Sequence, residues 1–270
     1  MIPVGPVGVI MGDGPVVLGM PHVGTHIPAP IWERLTDVGH VRADTDWHVD
    51  RLYDRLLPEA TVVRATFHRF VIDPNRAPEG GSLYPGRATT DLVPATDFDG
   101  RPLWRPGGAP TPRDVARRVA AFHAPYHAAL TRELERVRDR HGAAILFDCH
   151  SIRSVIPRLF EGRLPDLNVG DDGGVTCAPA ISACVTTALK ERAGRFTWVH
   201  NGHFRGGWSV RHHGRPAEGI HAIQMEMAQA LYLTAEAPPF DYDESRATVI
   251  RPLLGEILRR LERLVLDGGL

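Results

Sequence analysis

Cysteine is scarce in this chain: Cys149, Cys177 and Cys184 are the full set, and no two of them form a CxxC pair. That argues against a disulfide framework or a thiolate zinc site, and a reducing, cytoplasmic compartment is the expected setting. An excess of one charge is also missing, since 31 Lys plus Arg face 32 Asp plus Glu, for a formal net charge of -1. The basic footprint of a nucleic-acid binder is therefore not expected. No apolar run approaches a membrane-spanning helix, and no basic-then-apolar stretch near the N-terminus suggests a secretion signal. Signature motifs are equally sparse. There is no GxGxxG or GxxxxGK loop for a nucleotide, no HExxH metal motif and no GxSxG nucleophile turn.

What is present is proline, glycine and histidine. The chain has 23 Pro and 27 Gly among 270 residues, which implies many turns and long shaped loops. Its hydrophobic fraction of 43% is enough for one sizeable core, so residues 1–270 are expected to form a single domain. Histidine numbers 14, and several of these sit beside Asp, Gly or Pro rather than inside helical patterns. Histidine serves as a metal ligand or as a proton carrier near neutral pH.

Hydrophobic patterning predicts alternating strands and helices. Residues 1–14 read as a meander. Val16 to Met20 form a short strand that ends in Pro21-His22-Val23-Gly24-Thr25-His26, and Pro28 to Leu35 suits a short helix. Asp44 or Thr45 is placed to cap a helix that presents Asp46 and Asp50 on one face. A strand over Thr61–Val71 leads into the turn Asp73-Pro74-Asn75-Arg76, followed by a long loop over residues 77–110. Thr111 and Pro112 open a long helix to Arg140, bent or divided at Pro125 and ended by Gly142. His123 and His127 lie one turn apart on it, a spacing that a polar helical face explains more often than a metal site.

Ala143 to Phe147 reads as a buried strand that delivers Asp148, His150 and Ser151 at its end. The stretch from Ser151 to Thr176 looks irregular, and its Gly170-Asp171-Asp172-Gly173-Gly174 turn lacks calcium-loop spacing. A helix over Pro179–Arg192, a strand over Phe196–His200 and a polar loop reaching Gly214 come next. A strand over His221–Met227 and a helix over Arg246–Leu266, with Val249, Leu253, Ile257 and Leu261 inward, complete the chain. This order predicts an α/β fold with a mixed, mostly parallel sheet flanked by helices.

Polar clusters follow the inferred strands: His22 with His26, Asn75 with Arg76, Asp148 with His150, and Glu226. Two histidines and a carboxylate make a common catalytic zinc set with a position left for water. A free glutamate beside that set can take the water's proton, and an arginine can hold a substrate carboxylate through paired hydrogen bonds. Glu226 shares a strand face with Gln224, opposite Ile223, Met225 and Met227. A buried central strand does not normally carry such groups without a use. Together these parts make a metal-dependent hydrolase acting on an amide of a small acidic molecule. Cys149 and Ser151 flank His150, but neighbours on a strand point to opposite faces, which argues against a Ser or Cys nucleophile. The loop carrying Asn201, Arg205, Arg211, His212 and His213 suits recognition of a polar substrate.

Six ordered segments resemble the N-formylglutamate amidohydrolase family. They are Pro21-His22-Val23-Gly24, the run from Asp44 to Tyr53, Ile72-Asp73-Pro74-Asn75-Arg76, Asp148-Cys149-His150-Ser151, the run from Asn201 to Gly207, and Gln224-Met225-Glu226-Met227. The resemblance implies hydrolysis of N-formyl-L-glutamate to L-glutamate and formate, the last step of one histidine-degradation route. It implies a fold like the zinc carboxypeptidases and aspartoacylases, with one Zn2+ per chain. His22 and His150 would then be zinc ligands, Glu226 the general base, and Asn75 with Arg76 the pair near the substrate. The carboxypeptidase pattern has a glutamate three residues after the first histidine, where this chain has Thr25. Asp46 is the expected replacement, with His26 and His48 as rivals. The family usually continues the Glu226 strand with Asn-Arg, whereas Ala228-Gln229 stands here. Arg211 could bind the substrate carboxylate instead of Arg76, and Ser151 and Asn201 are further pocket candidates. A monomer or small homo-oligomer is expected. The alternatives are an amidohydrolase for another N-acyl acidic amino acid, or a small-acid-binding protein without catalysis.

Overall fold

The computed structural model describes residues 5–81 and 89–270. Residues 1–4 of the expected meander and 82–88 of the expected long loop lie outside the described residues. Strands β1 (Val7–Ile10) and β2 (Val16–Met20) come first. Helices α1 (Ala29–Trp32), α2 (Asp37–Val41) and α3 (Val49–Tyr53) follow, then β3 (Thr61–Ala65). Helix α4 (Pro112–Arg118) is capped by Thr111, whose hydroxyl accepts from Asp114 N while the Asp114 carboxylate accepts from Thr111 N. A π-helical turn over Val119–His123 precedes α5 (Ala124–His141), so the long helix is divided just before Pro125. Gly142, at φ 81°, ends it in the left-handed region that glycine tolerates. The rest of the chain runs β4 (Ala144–Ile152), β5 (Leu167–Gly170), α6 (Pro179–Arg192), β6 (Trp198–His200), α7 (Trp208–His213), β7 (Ile220–Ala228) and α8 (Glu244–Leu266).

The sheet has seven strands in the order β1-β3-β2-β4-β7-β5-β6. Strands β3, β2, β4 and β7 run parallel, while β1 on β3 and β5 on β7 are antiparallel. Helices cover both faces. Ile145, Phe147 and Cys149 of β4 join Ile223, Met225 and Met227 of β7 against α3, α6 and α8. Ala144 and Leu146, with Ile220 and Ala222, pack on the other face against α5 and α1. Every residue of β4 and β7 is buried, which suits long apolar strands at the centre of a covered sheet.

The structure differs from the sequence expectation in several places. Strand β4 continues through Ile152, so Asp148, His150 and Ser151 lie within it rather than after it. Neither β1 nor β5 was expected; each has four residues, too few for a periodic signal. Helix α7 lies in a stretch read as loop. Asp46 precedes α3 instead of sharing a helix face with Asp50, which pairs with Arg64 at the surface. Val249 is exposed at 46%, and Ile250 takes the inward position on α8.

Candidate active site

Parallel strands collect their C-terminal ends on one edge of the sheet, where open α/β folds place ligands. His22 lies two residues past the last residue of β2, after Pro21, and His150 and Glu226 stand side by side, paired in register between β4 and β7. Asp148 and Gln224 are paired in the same register two residues earlier. Gly19 of β2 is the partner of Asp148, and a Cβ there would lie 2.9 Å from Asp148 Oδ1, so glycine leaves room for the carboxylate. The polar face of both strands continues the Leu146 and Ala222 side, beyond the reach of its apolar packing.

His22, Asp46 and His150 are buried, and one ligand atom from each lies within 4.8 Å of the others. His22 Nε2–H donates to Asp73 Oδ1 at 2.7 Å, and His150 Nε2–H donates to Asp148 Oδ2 at 2.8 Å. These bonds leave both Nδ1 atoms facing Asp46 Oδ2, at 3.7 Å for His22 and 3.1 Å for His150. Two imidazole lone pairs and a carboxylate converging in a buried site, each ring backed by its own carboxylate, fit a divalent ion of the zinc kind. Ser151 N–H also donates to Asp46 Oδ2, at 3.1 Å. The rivals for the carboxylate position lie elsewhere: His26 is exposed and His48 bonds the Phe240 carbonyl at 3.0 Å.

Burial pushes the Asp46 carboxyl up, but the charge of His22 and the hydrogen bonds from both histidines outweigh it and hold the group well below its ordinary value. Burial likewise works against the His150 cation, yet the Asp148 and Asp46 carboxylates raise that ring well above an ordinary histidine. Asp73 is held well down against burial by Arg69, His22 and Arg76. Glu226 goes the other way: burial raises it to about 8, with His150 opposing and Asp46 reinforcing. A carboxylate with that proton affinity is suited to general-base work near neutral pH.

One cavity takes in His22, Asp46, His150, Glu226, Asn75, Arg76 and Ser151 together. Arg76 donates to Thr90 O, Thr90 Oγ1 and Asn75 O, each at 2.8 Å. Ser151 reaches the cavity wall, but its hydroxyl is turned to Tyr232 Oη at 2.6 Å and Gln229 Nε2 at 3.3 Å. Asn201 and Arg211 are not among the lining residues. Asn201 Nδ2 donates to Asp171 Oδ1 at 2.6 Å, and Arg211 pairs with Asp172 at 3.0 Å. Sequence reasoning passed over Arg69, a buried lining residue whose Nη1 lies 3.4 Å from His22 Nδ1 and whose Nη2 pairs with Asp73. It also passed over Phe98 and Leu159, which line the cavity together with His203 and Phe204 of the expected recognition loop.

The model of the N-formylglutamate amidohydrolase family matches residues 14–233. An N-formylglutamate deformylase of Pseudomonas putida is 42% identical over 251 residues, covering 93% of each chain. One from Pseudomonas aeruginosa is 40% identical over 252 residues, again covering 93% of each. The crystal structure of an N-formylglutamate amidohydrolase from Ralstonia eutropha superposes with a TM-score of 0.80 at 29% identity, covering 98% of this chain and 100% of that one.

Proposed function

Because the chain belongs to the N-formylglutamate amidohydrolase family, we propose that it hydrolyses N-formyl-L-glutamate to L-glutamate and formate with the help of a bound divalent ion, zinc by its donor set. Such a reaction would end a histidine-degradation route. The observation that carries the reading is the in-register pairing of Glu226 with His150, which sets a basic carboxylate beside the buried His22–Asp46–His150 group. His22 and His150 would hold the ion through Nδ1, and Asp46 through its carboxylate. Bound there, the ion supplies Lewis acidity, making water a nucleophile near neutral pH and polarising the formyl carbonyl. Glu226 takes the proton of the attacking water as the new C–O bond forms. It then passes that proton to the amide nitrogen as the C–N bond breaks, releasing the amine of glutamate. Arg69, next to His22, is placed to offset negative charge growing on the formyl oxygen. Arg76 lies on the cavity wall next to Asn75 and would receive a substrate carboxylate.

Formate release tests the reading. Wild-type protein supplied with zinc is expected to cleave N-formylglutamate in preference to N-formylaspartate and N-acetylglutamate. Preference for either of the others would reassign the substrate. Glu226→Gln should keep the metal and lose about 100- to 10,000-fold in kcat, the usual range for a lost acid–base group. A variant with near-normal turnover would remove Glu226 from its role.

A further inference from the structure

Gln224 and Asp148 occupy matching places. Each stands two residues before a functional group on its strand, and the two are paired in register. Asp148 bonds the ring of His150, and Gln224 bonds the carboxylate of Glu226, with Nε2 3.4 Å from Oε2. The orientation of the Gln224 amide is settled by its other end, where Oε1 accepts from Gly207 N–H at 2.9 Å and so turns Nε2 toward Glu226. Gly207 is itself pressed on the Asn75 amide, since a Cβ there would fall 2.1 Å from Asn75 Nδ2. Ser209 N–H completes the link by donating to Asn75 Oδ1 at 2.9 Å. Gln224 is buried at 3% exposure and lines the cavity.

On the reading of Glu226 as the base, we infer that Gln224 is a positioning residue of the reaction: its amide fixes the Glu226 carboxylate and ties it to the chain around Gly207 that backs Asn75. A hydrogen bond to Oε2 selects one rotamer of a buried side chain and leaves the other oxygen to exchange the proton. The groups on either side of the substrate are thereby set against each other by one amide.

Two substitutions separate this role from support of the wall. Gln224→Met removes both bonds. Gln224→Glu keeps an acceptor for Gly207 N–H but offers Glu226 no donor once both carboxyls are ionised, so its kcat is read at alkaline pH, where the two cannot share a proton. Both are expected to lose roughly 10- to 100-fold in kcat with KM changed by less than about 3-fold, as for an interaction made through the reacting group. Each should bind the same amount of zinc as wild type. Combining Gln224→Met with Glu226→Gln should cost no more than Glu226→Gln alone, because Gln224 acts through the base. Full kcat in Gln224→Glu at that alkaline pH, with loss only in Gln224→Met, would overturn the inference, as would additive losses in the double variant. Absence of formate release by wild-type protein would overturn the reading of the site, and this inference with it.

Discussion

A histidine that ligates through Nδ1 needs its Nε2–H committed elsewhere, or the ring turns and the wrong tautomer forms. Asp73 and Asp148 meet that need for His22 and His150, and both carboxylates are fully buried. Removing the charge behind one ring should therefore weaken ion binding without breaking the fold. Asp148→Asn is expected to lower zinc affinity about 10- to 100-fold, the usual effect of losing such a partner. Competition with a chromophoric chelator measures it, and an unchanged affinity would show that Asp148 is only filling space. At this scale the sequence was legible where a polar residue broke an apolar strand or followed its end, as His22, His150 and Glu226 do. Arg69 was hidden inside a run of strand formers, His68-Arg69-Phe70-Val71. Asp73 was disguised by its second task, since its Oδ1 also accepts from Asn75 N–H at 2.8 Å and so makes the turn that was recognised. Asn201, a polar side chain in a crowded loop, donates to Asp171 Oδ1 at 2.6 Å, a partner that the sequence does not reveal.

Between elements, α5 and α7 meet through histidine rather than through aliphatic side chains. The pair spaced one turn apart is not a solvated face, because His123 and His127 are 2% and 6% exposed. His123 Nε2–H donates to the Arg76 carbonyl at 2.8 Å, and His127 Nε2–H to the Pro74 carbonyl at 2.7 Å, so α5 and the turn before it clamp both sides of Asn75. His127 Nδ1 must then accept, and His213 of α7 donates to it through Nε2 at 3.0 Å. That arrangement requires His127 to be neutral. Burial, helped by the charges of His212 and Arg215, lowers His213 to about 3. Burial with the neighbouring His213 and His123 lowers His127 well below the ordinary range. A depressed histidine binds fewer protons in the folded state than in the unfolded one, so its stability is present above about pH 6.5 and is lost as pH falls toward 3. In that window each such ring adds about 1.4 kcal/mol of lost stability per pH unit. His213→Gln, which can still donate to His127, should reduce the acid slope of unfolding free energy by about that amount. Denaturant titrations between pH 4 and 6 would reveal it, and parallel slopes would contradict it. The sequence placed α5 because its apolar period is long, whereas α7 has six residues after a Gly-Gly pair and no room for a period. The antiparallel partners β1 and β5 were missed for the same reason.

Across the whole molecule, the central difficulty is charge. The net charge of -1 hides a concentration of Asp46, Asp73, Asp148 and Glu226 around one cavity, opposed there by Arg69 and Arg76. With all four ionised, the centre lacks two positive charges, the charge of one divalent ion. The Asp148 and Asp46 carboxylates raise His150 against burial, and burial raises Glu226 to about 8, so both groups favour their protonated forms. A mixed sheet covered by helices was readable from patterning, but this balance was not, because it exists only once segments from residue 22 to residue 226 have been brought together. The unfolded chain cannot hold an ion in that way, so binding and stability are linked. With free zinc at about 100 times its dissociation constant, the folded state gains about 2.7 kcal/mol. For a chain of this size, that corresponds to a fall in Tm of roughly 5 °C or more when a chelator strips the ion. Formate release should vanish in parallel and return on adding zinc. Zinc uptake should also release protons near neutral pH, because the ion displaces those held by His150 and Glu226. A chelated protein with unchanged Tm, undiminished turnover and no proton exchange on adding zinc would mean that the buried carboxylates are neutralised by protons alone.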